Sequence, residues 1–208
     1  FAKDFEIPCV GGKVSLYNET SDGPIKPTPV IGVIGLIDKK PLKIQKINSG
    51  DSLIMIGDTK DELGGSEYSE YVHKFIGGKC PAVDFIESKK NMNCVLDIIE
   101  NELIKSAHDC SKGGLTIAIS ELCMINQIGC NVSLEKIPGE KLDSDKILFS
   151  ESHSRYLLTI ENKNLSKLEE TLKKYGVSYS LIGEFTGDSI CFSSDSKPII
   201  DLSVDKAH

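Results

Sequence analysis

The chain has 208 residues, 39% apolar and 26% charged, enough for one substantial globular domain or one domain and part of another. A net charge of −7 excludes the clustered basic surface that nucleic-acid binding requires. The longest apolar run, Val30 to Ile37, is eight residues broken by two glycines, too short to cross a bilayer, and no signal-peptide pattern is present.

Taken in chain order, two strands are expected at 8–17 and 30–37, joined by the turn-forming Ser21-Asp22-Gly23-Pro24. Two strands cannot build a core alone, so they need partners from elsewhere or from a second copy. Composition shifts near residue 41, and helix then mixes with strand. The patterns predict a strand at 52–58, a short helix at 67–75, a longer helix at 83–105 and a strand end at 106–109. A helix at 115–126, strands near 130–134 and 155–161, and a helix at 164–175 follow. Strands at 178–185, 189–193 and 199–203 complete an α+β or layered α/β domain. The seven cysteines are odd in number and show no Cys-x-x-Cys spacing. They read as small buried hydrophobes in a reducing cytoplasm.

Four segments concentrate chemistry-bearing residues. Gly11-Gly12-Lys13-Val14-Ser15 is either a bulge or tight turn, or a loop whose amides face an anion. Leu63-Gly64-Gly65-Ser66-Glu67-Tyr68 precedes a helix start and reads as an anion site or as a helix capped by Ser66. Asp109 in His108-Asp109-Cys110-Ser111-Lys112-Gly113-Gly114 suits a metal ligand or an N-cap carboxylate. In Ser150-Glu151-Ser152-His153-Ser154-Arg155, Glu151 and Arg155 either face a ligand or pair with each other at the surface. No Walker A loop, nucleophile elbow or dinucleotide fingerprint is present.

In their order and spacing these segments, with Val14-Ser15-Leu16-Tyr17-Asn18-Glu19 and Pro27 to Val33, resemble the C-terminal part of phosphoribosylformylglycinamidine synthase. That family is related to aminoimidazole ribonucleotide synthetase, and the likeness spans nearly the whole chain. It implies that 1–40 are closing strands of an N-terminal-type, ATP-binding domain. Residues 41–208 would then form the C-terminal-type domain, with a three-layer α/β/α arrangement. The implied reaction is an ATP-dependent ligation in purine synthesis. ATP phosphorylates the amide oxygen of N-formylglycinamide ribonucleotide, and ammonia from a separate glutaminase subunit displaces phosphate. A small bridging subunit is the other implied partner. The chain, which does not begin with methionine, would be an inactive fragment carrying no catalytic residue of its own. Competing readings are a non-catalytic interaction module, or a selenophosphate- or thiamine-phosphate-type kinase. A dimer through the N-terminal strands is also expected.

Carried over by position, Gly12 matches an ATP-contacting glycine and Ser15 a substrate-contacting serine. Lys13 stands where the family commonly has an asparagine that binds magnesium. ATP and magnesium are the implied cofactors. An ammonium has donors and no free lone pair, so two outcomes are open. Either Lys13 neutralises ATP phosphates in place of a metal charge, the preferred expectation, or the ion shifts to ligands outside this chain. Lys112 stands where the family commonly has Asp, and Glu67, Asp109, Glu151 and Arg155 match an auxiliary nucleotide pocket or a domain interface. A Lys13→Ala variant of the full-length enzyme is therefore expected to bind ATP about tenfold more weakly, the loss of one charge-assisted bond. Unchanged affinity in a titration counts against that role.

Overall fold

The computed structural model describes residues 1–37 and 45–207, and the chain divides into two compact units, Phe1–Pro41 and Leu42–His208. The expected boundary at 40/41 falls outside the described residues. In the first unit, β1 (Glu19–Thr20) pairs antiparallel with β2 (Gly23–Pro24) across a turn at Ser21 and Asp22. The Thr20 hydroxyl accepts from the Asp22 amide at 3.2 Å and donates to the Gly23 carbonyl at 3.3 Å, which closes the turn.

The strands predicted at 8–17 and 30–37 do not form. Extended backbone needs a neighbouring strand for its amides and carbonyls, and the described residues supply none here. Pro8, Pro27 and Pro29 also remove donors. Val10 and Ile34 are 95% and 96% exposed, so the unit presents apolar side chains without the sheet edge on which the expected dimer rested.

In the second unit seven strands form one sheet: β3 (Ser52–Ile56), β4 (Ser106–Asp109), β5 (Cys130–Ser133), β6 (Tyr156–Ile160), β7 (Tyr179–Phe185), β8 (Ser189–Ser194) and β9 (Lys197–Ser203). Their order is β4-β6-β3-β7-β5-β8-β9, antiparallel throughout except for the parallel pair β5 and β8. All five residues of β3 are buried, and alternate side chains enter different cores. Leu53 and Met55 join Leu115, Ile119 and Leu122 of α3 (Gly114–Asn126), Leu148 of α4 (Ser144–Phe149) and Val204 of α6 (Val204–Ala207). Ile54 and Ile56 join Cys94, Val95 and Ile98 of α2 (Phe85–Glu100) with Leu168 and Leu172 of α5 (Leu165–Tyr175). The result is the expected three-layer α/β/α arrangement. Helix α1 (Glu67–His73) buries none of its residues and meets the first core only at its edge, where Tyr68 stacks on Phe149 at 4.6 Å between ring centroids.

Helix α2 is shorter than the predicted 83–105. Asp84 caps its start by accepting from the Ile86 and Glu87 amides, at 2.9 and 3.0 Å. It ends in a reversal at Glu102 (φ 53°), where the Glu102 amide bonds to Ile99 O and the Leu103 amide to Ile98 O. Leu103 and Ile104 thus enter the core from a loop, which explains why their apolar spacing imitates more helix. The six-residue α4 is too short to leave a periodic signature, and no pattern announced it. Of the seven cysteines, four are buried and Cys191 is half-buried, whereas Cys9 and Cys80 are exposed, contrary to expectation. Among the described residues no helix is long and apolar enough to cross a membrane.

One buried ion pair ties the start of β3 to the start of β4. Lys105 Nζ donates to both Asp51 oxygens at 2.9 and 2.7 Å, with each side chain 6% exposed, and the Asn48 amide donates to the same carboxylate. Removing the cation strands a buried carboxylate, so Lys105→Ala is expected to lose about 3–5 kcal/mol in urea denaturation. Glu102→Gly is expected to gain about 0.5–1 kcal/mol, because only the left-handed strain of a Cβ is removed from an exposed residue.

Candidate functional site

The strand registers bring three loops to one end of the sheet. Ile56 and Asp109 both lie opposite Tyr156, so the chain leaves β3 and β4 where it enters β6. The loops are 57–66, 110–113 and 150–155. Glu151 and Arg155 lie in the third of them, Asp109 ends β4 just before the second, and Glu67 opens α1 just after the first.

Glu151 is the junction. Its Oε1 accepts the backbone amides of Glu67 and Gly113, each at 2.9 Å, and so joins the starts of α1 and α3. Lys112 Nζ reaches Glu67 Oε1 at 2.7 Å. The Glu67 carboxylate raises the Lys112 pKa, first by hydrogen bonding and then by its charge, with smaller contributions from Glu151 and Glu70. Ser66 caps α1, accepting from the Ser69 amide at 3.2 Å, as the capping reading of this segment holds.

Arg155 lies beneath the loops and not on their surface. It is 1% exposed, and its pairing with Glu151 does not occur. Its Nε donates to Ser152 O at 2.9 Å, one terminal nitrogen to Thr59 Oγ1 at 3.1 Å and the other to Ser150 O. Burial lowers its pKa, while the nearby Cys110, Glu62 and Glu151 oppose that shift. Cys110 beside it is pushed up to about 11 by the same burial, so it stays a thiol. The expected ligand-facing role of Arg155 is thus replaced by a supporting one.

Asp109 is neither an N-cap nor a bonded neighbour of Glu151. The cap position of α3 is Gly113, without a side-chain bond, and Asp109 instead accepts from the Ser111 hydroxyl. That bond is the largest cause of its lowered pKa. Two glycines are required by close approach. A Cβ on Gly64 would meet the Lys79 carbonyl oxygen at 2.1 Å, and one on Gly114 (φ 68°) the Ser150 carbonyl oxygen at 2.6 Å.

Glu62 and Thr59 were missed from sequence. Glu62 binds the Ala82 amide through Oε1 at 2.8 Å, donates its amide to Ser150 Oγ at 3.3 Å and accepts the Glu151 amide at 3.1 Å. Its place directly before Leu63-Gly64-Gly65 was the available signal.

Gly12, Lys13 and Ser15 belong to the other unit and are exposed, and a Cβ on Gly12 would meet nothing within 4 Å. Among the described residues no three His, Cys, Asp or Glu side chains converge as metal ligands. Lys13 has donors and no free lone pair, so it cannot itself ligate a magnesium ion.

A family profile described as AIR synthase related protein, C-terminal domain, matches residues 48–193. The PurL subunit of phosphoribosylformylglycinamidine synthase from Methanocaldococcus jannaschii is 38% identical over 213 residues, covering 99% of this chain and 28% of that protein. Among solved structures, Thermotoga maritima PurL complexed with FGAR superposes with a TM-score of 0.72 at 19% identity, covering 80% of this chain and 29% of that one. The same protein complexed with ATP gives 0.65 at 19% identity, covering 80% and 27%. The chain therefore spans less than a third of the length of these relatives, and the structural likeness bears on fold.

The Ser111 hydroxyl favours the charged form of Asp109. Its contribution to stability is present above the ordinary carboxylate value of about 3.9 and is lost as pH falls through the lowered one. Ser111→Ala is expected to return Asp109 towards the ordinary value in an NMR titration of its carboxyl carbon.

Proposed function

We propose, from the premise that this chain belongs to the AIR synthase related family, that it is part of the ATP-dependent ligase that converts N-formylglycinamide ribonucleotide to its amidine in purine synthesis. The observation that carries this reading is the 38% identity to a PurL subunit across 99% of the chain, which takes in both units and so both sets of candidate residues.

The chemistry accounts for the residue types. An amide oxygen is a poor leaving group until ATP phosphorylates it. Ammonia then adds to that carbon and expels phosphate, leaving the amidine, ADP and phosphate. The transferring phosphoryl group spreads negative charge over its oxygens, and fixed cations and amides stabilise that charge most when water is excluded. The exposed Gly12 amide and Lys13 ammonium would meet the ATP phosphates, and the Ser15 hydroxyl would hold the ribonucleotide substrate. The loops around Glu67, Asp109 and Glu151 would serve an auxiliary nucleotide or a domain interface. Ammonia would arrive from a glutaminase subunit, with a small bridging subunit completing the assembly. In the cytoplasm of the cell the ligase would act as a whole subunit, the 208-residue chain being inactive alone.

The test is ammonia-dependent turnover of the ribonucleotide by the whole subunit, followed by ADP release. Ser15→Ala is expected to raise KM for the ribonucleotide about tenfold, the loss of a substrate hydrogen bond. A wild-type subunit that releases no ADP with both substrates present overturns the reading. Asp109→Ala in the same subunit is expected to lower turnover or melting temperature, and no change in either removes Asp109 from the site.

A further inference from the structure

A buried guanidinium is expensive to keep, and it normally faces a carboxylate. Among the described residues Arg155 has no carboxylate at ion-pair distance, although Glu62 and Glu151 are near enough to oppose its pKa shift. Each of its three nitrogens donates to a neutral oxygen, and the places of those oxygens in the chain are informative. Two are the carbonyls of Ser150 and Ser152, one on each side of Glu151. The third is the hydroxyl of Thr59 in the facing loop. The hydroxyls of the same two serines face the other way. Ser150 Oγ accepts the Glu62 amide at 3.3 Å, and Ser152 Oγ accepts the Lys60 amide at 3.1 Å. The backbone around Glu151 is therefore gripped from below by one cation and from the side by one loop. Its carboxylate alone is left to project, and one oxygen of it takes the first amide of α1 and the amide of Gly113.

We propose that Arg155 is a positioning residue: by fixing the backbone on both sides of Glu151 it lets that carboxylate set the spacing between the Gly64-Gly65 loop and the Ser111-Lys112-Gly113 loop. A phosphate-bearing ligand entering between the two loops would meet a gap of that fixed spacing. The ligand class rests on the functional reading above; the positioning does not.

Arg155→Lys keeps the charge, but a single ammonium on a shorter reach cannot serve three acceptors in a fork. In the 208-residue chain, amide hydrogen exchange at Glu67 and Gly113 is expected to quicken at least about tenfold in Arg155→Lys and in Glu151→Ala, while the amides of Leu53 to Ile56 keep wild-type protection. Wild-type exchange at both amides in Arg155→Lys, or a uniform rise across the sheet, overturns the proposal, since the second is what lost global stability alone would give. Should Arg155→Lys fail to fold, Thr59→Val removes one acceptor and must quicken the same two amides; if it does not, the proposal falls. In the whole subunit the probe is ADP. Arg155→Lys is expected to weaken ADP about fivefold or more and to add nothing in a Glu151→Ala background, whereas additive losses overturn the positioning role. Absence of ADP binding by the wild-type subunit defeats the functional reading and leaves the exchange result to decide the inference.

Discussion

Strand β3 is apolar on both of its faces, and a strand of that kind persists only between two layers. Its odd-numbered side chains need α3, α4 and α6, and its even-numbered ones need α2 and α5. This fixes more than the layers. With β6 and β7 antiparallel on either side of β3, and β4 antiparallel to β6, β3 and β4 run the same way. Their carboxyl ends and the amino end of β6 must then share one end of the sheet. The polar loops gather there because the core leaves them nowhere else to go.

At that end the charges are organised in depth. The cation is buried and bound to carbonyls and a hydroxyl, a carboxylate stands above it, and an exposed ammonium closes on a second carboxylate at the rim. The rim pair is weak, as exposed pairs are. The buried part is stiff, since each donor of Arg155 that moves leaves an unsatisfied group in a region water does not reach. The same logic holds at the opposite end of β3, where Lys105 and Asp51 satisfy one another out of solvent. Between these two polar anchors the side chains of Leu53 to Ile56 make apolar contacts.

Much of this could be read from the residues. The run Leu53-Ile54-Met55-Ile56 signals a doubly buried strand without help, and Ser66 before Glu67 marks a cap that forms as drawn. The length of α2 could not be read, because Glu102 adopts the reversal that glycine usually announces and Leu103 keeps the helical beat from a loop. In the first unit, alternating apolar residues mark surface that wants cover, but local pattern cannot supply the neighbour a strand must pair with. At the loops, the residue types were visible and their depth was not. A charge beside serines looks like a surface group until Ser150 and Ser152 are seen to turn their carbonyls inward to it. Glu62 escaped because a carboxylate next to paired glycines has no periodicity to betray it.

Strand β9 lies at one margin of the sheet and opens with Lys197 and Pro198. Proline cannot donate to an added strand, and a lysine placed there would have to lose hydration to admit one. β9 is also bulged, Ile199 being the extra residue where Phe192 and Ser193 of β8 pair with Ile200 and Pro198. A growing fibre therefore meets a blunted template at this border, and filament formation through it is disfavoured even in a partly unfolded chain whose inner strands are rich in isoleucine and leucine.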